Sequence, residues 1–211
     1  ITNASNNTFA NGNTSYVNVG SYQSHAQGTL GMQSGKWYWE IKMNGTHGNY
    51  GVCENYAKQA EDPQNNAPYY FLYSNSSNGI VVYNNATSSS GTTNSGWTNF
   101  ASGQIIGFAY DADNGKLYAH NNGTYYNSGN PAGGTGEVIS GITPREEGVI
   151  VPLIAQGTGS ARTHNVNWGQ GYFGTTAVSS ANADANGVGI FEYAVPSGFY
   201  ALCTKNLKEF S

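Results

Sequence analysis

Two aspartates, Asp111 and Asp113, have the spacing in this sequence that comes closest to catalytic chemistry. Glycosidases need two carboxyl groups about 5 to 9 Å apart across a groove, and residues two apart on a strand share a face. Both aspartates lie beside an Asn-Gly turn (DADNG, 111–115), where Asp is favoured because it bonds to nearby backbone. Glu146 and Glu147 fall in a predicted loop, and we interpret them as a solvated corner. We therefore predict no catalytic residues.

The same segment, DADNG, offers alternating oxygen ligands and a glycine, as calcium-binding loops do. The glutamate required at the twelfth position of such a loop is missing, because Asn122 stands there. The histidines lack the paired spacing of zinc sites. They are His25, His47, His120 and His164. We expect no metal site and no cofactor, and Asp111 and Asp113 are the residues to check for a metal.

Aromatic residues beside polar loops are the remaining candidates for ligand contact. Tyr and Trp provide rigid contact area, and Ser, Gly and Asn provide adaptable hydrogen bonding. Sugar recognition uses the same groups. The candidates are Tyr69, Tyr70, Trp97, Tyr125 and Tyr126. Because Tyr69 and Tyr70 are neighbours in a predicted strand, one of them must face the core. The predicted ligand surface therefore consists of Trp97, Tyr125 and Tyr126.

Composition limits the classes of partner. Of the 211 residues, 9% are charged, against about 25% in an average globular protein. A net charge of −4 and eight Lys and Arg residues argue against nucleic-acid binding, which needs clustered cations. No apolar run approaches the roughly 18 residues that cross a bilayer, so we expect no membrane insertion. An uncharged polar exterior lets identical copies pack closely, which suits self-assembly as a repeated component of an assembly.

Short strands must position the candidate residues. In GKWYWEIKM (35–43), Trp37, Trp39, Ile41 and Met43 alternate with polar residues, which predicts a half-buried antiparallel strand. Further predicted strands are SYVNV (15–19), QGTLGM (27–32), NYGVCE (49–54), YYFLYS (69–74), GIVVYN (79–84), QIIGFAYD (104–111), GKLYAHN (115–121), GVIVPLIAQ (148–156), THNVNWG (163–169) and FYALC (199–203). The one predicted helix is 55–62.

Turn residues separate these strands. DNG (113–115) and NGN (11–13) predict tight turns with positive φ values, and 84–96 is a low-complexity loop. Many short strands with Gly and Asn turns predict a β-sandwich or barrel. Cys53 and Cys203 lie in apolar segments, where we expect buried thiols, although the sequence leaves a disulfide between them open.

Four segments resemble SPRY domains in order and spacing. SGKWYWEIKM (34–43) followed by NYGVC (49–53) resembles the opening of these domains. GQIIGFAYDADNGKLYAHNNGTY (103–125) is similar to their central hairpin, and GVIVPLIA (148–155) to the strand that carries their proline, here Pro152. VNWGQGYF (166–173) resembles their closing Asn-Phe-Gly-Gln segment, with Trp168 in place of Phe.

This resemblance implies an all-β fold: an antiparallel, two-sheet, concanavalin-like β-sandwich. It covers about residues 30–173 of one SPRY-like domain spanning 1–211, with 174–211 as a C-terminal extension packing on or following the sandwich. The front part NNTFANGNTSYVNVG (6–20) and the tail VPSGFYALCTKNL (195–207) resemble segments of tailed-phage virion proteins. The chain begins with ITNAS, and we expect it to be part of a longer polypeptide.

SPRY domains are mostly non-enzymatic modules that bind proteins or glycans through loops at one edge. The resemblance therefore implies a phage virion module (fibre, appendage or capsid decoration) that contacts other virion subunits or a host-surface glycan or protein. The alternatives are a carbohydrate-binding module of a secreted protein and a glycosidase on the same fold. The basic ligand-reading residues of many eukaryotic SPRY domains are missing here, so the resemblance does not identify the ligand.

Overall fold

Alternating apolar residues build two antiparallel sheets that face each other. The structure, a computed structural model, describes residues 7–18, 25–55, 69–74, 79–85, 91–144, 148–156 and 161–210. The described strands are β1 (Asn7–Ala10), β2 (Ser15–Asn18), β3 (His25–Gln27), β4 (Lys36–Asn44), β5 (Gly48–Glu54), β6 (Tyr69–Ser74), β7 (Ile80–Asn84), β8 (Thr92–Asn94), β9 (Ile105–Asp111), β10 (Lys116–Asn121), β11 (Thr124–Tyr125), β12 (Ile150–Ala155), β13 (Arg162–Asn167), β14 (Tyr172–Phe173), β15 (Thr176–Ala177) and β16 (Tyr200–Ala201). The described helical segments are a 3₁₀ turn (Tyr126–Ser128) and α1 (Thr204–Phe210).

The first sheet has the order β1-β2-β13-β4-β9-β10-β11, and β16 pairs with the beginning of β4. The second sheet has the order β3-β12-β5-β6-β7-β8. Neighbouring strands are antiparallel, except for the parallel pair of β16 and β4. The predicted fold class, an all-β two-sheet sandwich, is therefore confirmed.

The inner face of β4 supplies the centre of the core, as its alternation predicts. Trp37 and Trp39 are fully buried in the layer between the sheets. Trp39 stacks on Phe108 of the neighbouring β9, with ring centroids 5.5 Å apart. Each large apolar side chain buried in this way contributes roughly 1.5–3 kcal/mol, so β4 anchors the first sheet on the second.

The outer face of β4 is buried as well, and here the prediction of a half-buried strand is wrong. Tyr38 and Glu40, which alternate with the tryptophans, are 0% exposed. Residues 182–203 cross this face and form the C-terminal strap. Phe191 meets Tyr38 edge-on at 5.0 Å, and Phe199 meets Tyr118 edge-on at 6.4 Å. Local alternation could not reveal a cover supplied by residues so distant in the sequence.

Glu40 fixes the strap to the sheet. Its carboxylate accepts hydrogen bonds from the backbone N–H groups of Glu192 (3.0 Å) and Tyr193 (2.8 Å). It also accepts from the Tyr38 hydroxyl (3.1 Å) and the Asn167 amide (3.2 Å). Burial raises the pKa of Glu40 above its ordinary value, and these four hydrogen bonds oppose that rise.

Asp184 organises the strap itself. It is 6% exposed and accepts from the backbone N–H groups of Asn186 and Val188, both at 2.9 Å. Its other oxygen accepts from the backbone N–H of Ala201 (3.0 Å) and the Asn206 amide (2.8 Å). Asp184 therefore ties a turn of the strap to β16 and α1. The division between a core at 30–173 and an extension at 174–211 stays a prediction.

The strand predictions fail in two places. The segment 27–32 is mostly irregular, because β3 ends at Gln27 and Met32 forms only an isolated bridge with Ile150. The low-complexity loop at 84–96 contains β8, which pairs with β7 through Thr92–Asn94. Neither segment has an alternating apolar face, so the neighbouring strands decide their pairing.

The helix and turn predictions have mixed outcomes. Helix α1 was not predicted, and residues 56–62 of the predicted helix lie outside the described residues. Asn11, Gly12 and Asn13 all have positive φ (52°, 66° and 66°), as the NGN turn predicts. In the DNG turn the positive φ falls on Gly115 (60°).

Both cysteines are free thiols. Cys53 is fully buried, which raises the pKa of its thiol, and Cys203 is half-buried. Among the described helices, none has the length and apolar character that crossing a membrane requires.

Candidate binding surface around Trp97

Trp97 lies where the edges of the two sheets meet. It follows β8, and its backbone N–H donates to the Asn94 carbonyl (3.1 Å). Its indole stacks on Tyr126, which follows β11, with centroids 5.2 Å apart and 28° between the ring planes. Tyr126 is 6% exposed and donates its hydroxyl to the Thr98 carbonyl (2.7 Å). The fixed ring of Tyr126 therefore supports one face of the half-buried Trp97 indole.

The indole separates two grooves, which we name after Asn94 and Asn121. The Asn94 groove has a volume of about 530 Å³, and its polar lining is Asn84, Thr92, Asn94, Asn127, Glu137 and Ser140. The Asn121 groove has a volume of about 650 Å³, and its polar lining is Gln104, Asn121, Asn122, Thr124, Asn127 and Ser128, beside Tyr125 and Tyr126. Trp97 and Asn127 line both grooves. The Trp97 surface consists of this indole and the two grooves.

Three asparagines of the Asn94 groove are held at one end only. The amide nitrogens of Asn84, Asn94 and Asn127 donate to the carbonyls of Ser140 (3.2 Å), Thr92 (3.2 Å) and Glu137 (3.0 Å), respectively. Within the part of the chain that the structure describes, their amide oxygens accept no hydrogen bond. The protein therefore orients these three side chains, and each keeps an amide oxygen that can accept a hydrogen bond from a ligand.

A buried amide oxygen of Asn121, a residue that lines the Asn121 groove, is also unpaired. Asn121 is 9% exposed and donates its amide N–H to Gln104 Oε1 (3.0 Å). Its Oδ1 is buried and has no hydrogen-bond partner among the described residues. Leaving a buried acceptor unsatisfied costs about 1–3 kcal/mol, so Asn121 holds a strained position beside the groove.

The Trp97 surface is close to neutral. Glu137 is the one charged residue that lines either groove in the described part, and Lys116 lies 3.5 Å from its carboxylate. Lys116 also donates to the Gly134 carbonyl (2.8 Å). Burial raises the pKa of Tyr126 to about 12, so its phenol stays protonated at neutral pH. Ligand contact here depends on shape and hydrogen bonding rather than on charge.

The loop of the Asn121 groove has an unusual backbone. Asn122, Asn127 and Ser128 have φ values of 47°, 54° and 50°. Asparagine tolerates this left-handed region, but serine has no such preference, and strained residues of this kind concentrate at binding sites. The loop is thus held in one shape beside the indole.

The structure brings the predicted site residues together, but their side chains have different roles. Trp97, Tyr125 and Tyr126 all line the Asn121 groove. Tyr126 supports the indole, whereas Tyr125 packs edge-on against His120 (5.1 Å) with its hydroxyl buried. Burial and then the Glu40 carboxylate raise the pKa of Tyr125. Trp97 and Tyr125 are therefore the half-buried rings of the three, and Tyr125 has its hydroxyl buried.

The other two tyrosine candidates are buried strand residues. Tyr70 is 3% exposed and belongs to the core between the sheets. Tyr69 is 0% exposed and packs with Phe71 and Leu153 on the opposite face of the second sheet. Neither ring is available to a ligand.

The two aspartates with catalytic spacing bond to their own turn and to the start of β4. Asp111 accepts from the backbone and side chain of Asn114 (3.1 and 2.9 Å) and pairs with Lys36 (3.1 Å). Asp113 accepts from the Gly35 backbone N–H (2.8 Å). Glu146 and Glu147 lie outside the described residues.

The buried histidines are neutral. Burial lowers the pKa of His120 and His164 to about 3 and is the chief cause that lowers that of His25 to about 4. Across the described ranges, no three His, Cys, Asp or Glu side chains are grouped as a metal site requires.

Sequence reasoning missed the asparagines of the Trp97 surface. Asparagine is so frequent in this chain that Asn84, Asn94 and Asn127 do not stand out. Their common feature, an amide fixed at one end, depends on backbone carbonyls from other segments. The signal available from the sequence was the loop composition around Trp97.

Comparison with known proteins places the fold. No protein-family model matches the chain, and no curated protein matches it. The crystal structure of the TRIM65 PSpry domain is similar, with a TM-score of 0.56 and 12% identity, covering 76% of this chain and 84% of that one. The SPRY domain of human HERC1 is similar with a TM-score of 0.55 and 11% identity, covering 76% of this chain and 91% of that one. The sandwich thus has a SPRY-like fold.

Proposed function

We propose that this chain is a non-enzymatic binding module and that the Trp97 surface makes its functional contact. The observation that carries the proposal is the Trp97 indole, which stacks on Tyr126 and lines two grooves, together with the unpaired amide oxygens of Asn84, Asn94 and Asn127 beside it. A fixed aromatic ring with adaptable polar neighbours is the composition that binding loops use. The SPRY-like fold supports a protein-interaction role, because SPRY domains generally bind through loops at one edge.

The module is proposed to belong to a phage particle, as a fibre, appendage or capsid decoration. The resemblance of residues 6–20 and 195–207 to virion proteins supports this location. The second of these segments packs on the first sheet through Phe199. In this arrangement other surfaces hold the module to virion subunits, and the Trp97 surface faces the host.

The test uses particles of the parent phage that carry Trp97→Ala, with Tyr172→Ala as the control. Tyr172 is 49% exposed and lines neither groove. Copy number per particle is measured by quantitative mass spectrometry, and attachment is measured on host cells. We expect the normal copy number in both variants and a loss of attachment only for Trp97→Ala.

Other outcomes separate the alternatives. Absence of the chain from purified particles would overturn the virion role and favour a secreted module. Loss of the Trp97→Ala chain from particles would mean that this surface binds another virion subunit. Hydrolysis of a bound glycan by the purified chain would contradict the non-enzymatic role and support a glycosidase.

A further inference from the structure

We propose that the ligand of the Trp97 surface is a neutral oligosaccharide that crosses the indole and places sugars in both grooves. This inference rests on the proposed function and names the chemistry of the partner. It follows from three properties of the surface: the indole shared by both grooves, the open acceptors and the near absence of charge.

The accessible ring provides the stacking platform. Tyr126 supports the Trp97 indole, so the exposed part of that indole is turned away from the core. A pyranose presents a flat face of C–H groups, which packs on an aromatic face. The indole is shared by both grooves, so a sugar stacked on it has neighbours on either side.

The open acceptors match hydroxyl groups. Asn84, Asn94 and Asn127 keep unpaired amide oxygens in the Asn94 groove, and Asn127 also lines the Asn121 groove. Sugar hydroxyls are donors distributed around a ring, so they can satisfy acceptors on both sides of the indole. Both groove volumes, about 530 and 650 Å³, lie within the roughly 300–1,000 Å³ of small-molecule sites.

The polar surroundings disfavour an apolar protein interface. The centre of a protein–protein interface is depleted of charge and rich in large apolar side chains. In the described part of the chain the exposed large hydrophobic residues are Tyr172 and Ile190, and neither lines a groove. Around Trp97 amides and hydroxyls stand beside a few aromatic and aliphatic groups, and this mixture suits a ligand that carries hydroxyl groups on flat C–H faces.

The charge of the surface selects neutral sugars. Glu137 is paired with Lys116, and no other cation lines the grooves among the described residues. A ligand carboxylate would therefore find no partner and would meet a protein of net charge −4. Burying an unpaired charge is unfavourable, so anionic glycans should bind more weakly than neutral glycans of equal length.

The experiment titrates the purified chain with defined hexasaccharides and follows the indole N–H resonance of Trp97. The neutral probes are maltohexaose, cellohexaose, mannohexaose and chitohexaose. Hexagalacturonic acid is the anionic control of equal length. The buried indoles of Trp37 and Trp39 provide internal controls. We expect saturable shifts of the Trp97 resonance with at least one neutral probe and at least about tenfold weaker binding of its monosaccharide and of hexagalacturonic acid.

Variants assign the contact, with isothermal calorimetry as the readout. Trp97→Ala should weaken binding at least about tenfold, whereas Trp97→Phe, which keeps a ring, should stay within about threefold of the native chain. Asn94→Ala removes one acceptor and should weaken binding about threefold to tenfold. Tyr172→Ala should leave binding unchanged.

Three results would overturn the inference: no binding of any neutral probe, equal binding by Trp97→Ala, or hexagalacturonic acid binding as tightly as the neutral probes. Failure of the glycan inference is distinguishable from failure of the module. If attachment of particles depends on Trp97 but persists after periodate oxidation of host glycans, the proposed binding function would hold and its partner would be a protein. Attachment that does not depend on Trp97 would overturn both the glycan inference and the proposed function of this surface.

Discussion

The C-terminal strap and the Trp97 surface are both built from irregular polar segments, but they use their hydrogen bonds differently. Two carboxylates hold the strap, Asp184 within it and Glu40 on β4 beneath it, and each accepts four hydrogen bonds. At the Trp97 surface, the amides of Asn84, Asn94 and Asn127 each make one bond and keep an open oxygen. Saturated groups stabilise a fold, and oriented unsaturated groups are free to bind a partner.

A buried chain of hydrogen bonds links the strap to the hairpin of β10 and β11. The backbone N–H of Gly123 donates to His120 Nδ1 (3.1 Å), so the proton of the neutral ring is on Nε2. His120 Nε2 then donates to the Tyr38 oxygen (2.8 Å), and the Tyr38 hydroxyl donates to Glu40 (3.1 Å). Because each member holds the next in place, we expect the strap to respond strongly to single substitutions.

The largest effect is expected for Glu40→Ala. Four neutral donors lose their acceptor in a buried site, and because an unsatisfied buried donor costs about 1–3 kcal/mol, we expect a loss of at least about 3 kcal/mol of unfolding free energy. The control is Glu137→Ala, whose partly exposed ion pair contributes about 0–1 kcal/mol. Denaturant unfolding of both variants gives the comparison. Equal losses would show that the strap is not held by Glu40.

The next effect is the pH dependence that His120 produces. Because its folded pKa is lowered to about 3 from 6.5, the unfolded chain binds the proton more readily below pH 6.5. Stability is therefore complete above pH 6.5 and falls as the pH decreases toward 3, by about 1 kcal/mol per pH unit for this residue. His120→Asn should flatten the slope by that amount. An unchanged slope would mean that His120 is protonated in the folded chain.

A smaller loss is expected for Asp184→Asn. The amide nitrogen of Asn would meet two donors where a carboxylate oxygen accepted both, which should cost about 2 kcal/mol. Glu209→Gln, at an exposed position of α1, is the matched control and should change stability by less than about 0.5 kcal/mol. Thermal unfolding measures both. A neutral Asp184→Asn would argue that the strap turn does not depend on this carboxylate.

The smallest effect is expected for Asn94→Ala at the Trp97 surface. Its amide makes one exposed hydrogen bond to the Thr92 carbonyl, so stability should change by no more than about 0.5 kcal/mol. A loss comparable to that of Asp184→Asn would remove the contrast between the two regions, because Asn94 would then be a structural residue.

The sequence predicts the core of the sandwich better than its surfaces. The alternation of Trp37, Trp39 and Ile41 identifies the inner face of β4 because burial follows a local period. The same alternation places Glu40 on a solvent face, since its cover comes from residues 152 and 153 positions away. Trp97 stands out as an aromatic residue beside a loop, whereas the roles of Asn84 and Asn94 depend on carbonyls that only the folded chain brings close.

The most direct test of the Trp97 contact is competition for host attachment by the purified chain. Native chain or Trp97→Ala chain is added to host cells before the parent phage, and attached particles are counted. The native chain should inhibit attachment in a dose-dependent way, and the Trp97→Ala chain should require at least about tenfold more protein for the same inhibition. Equal inhibition by the two chains would contradict the assignment of this surface as the functional contact.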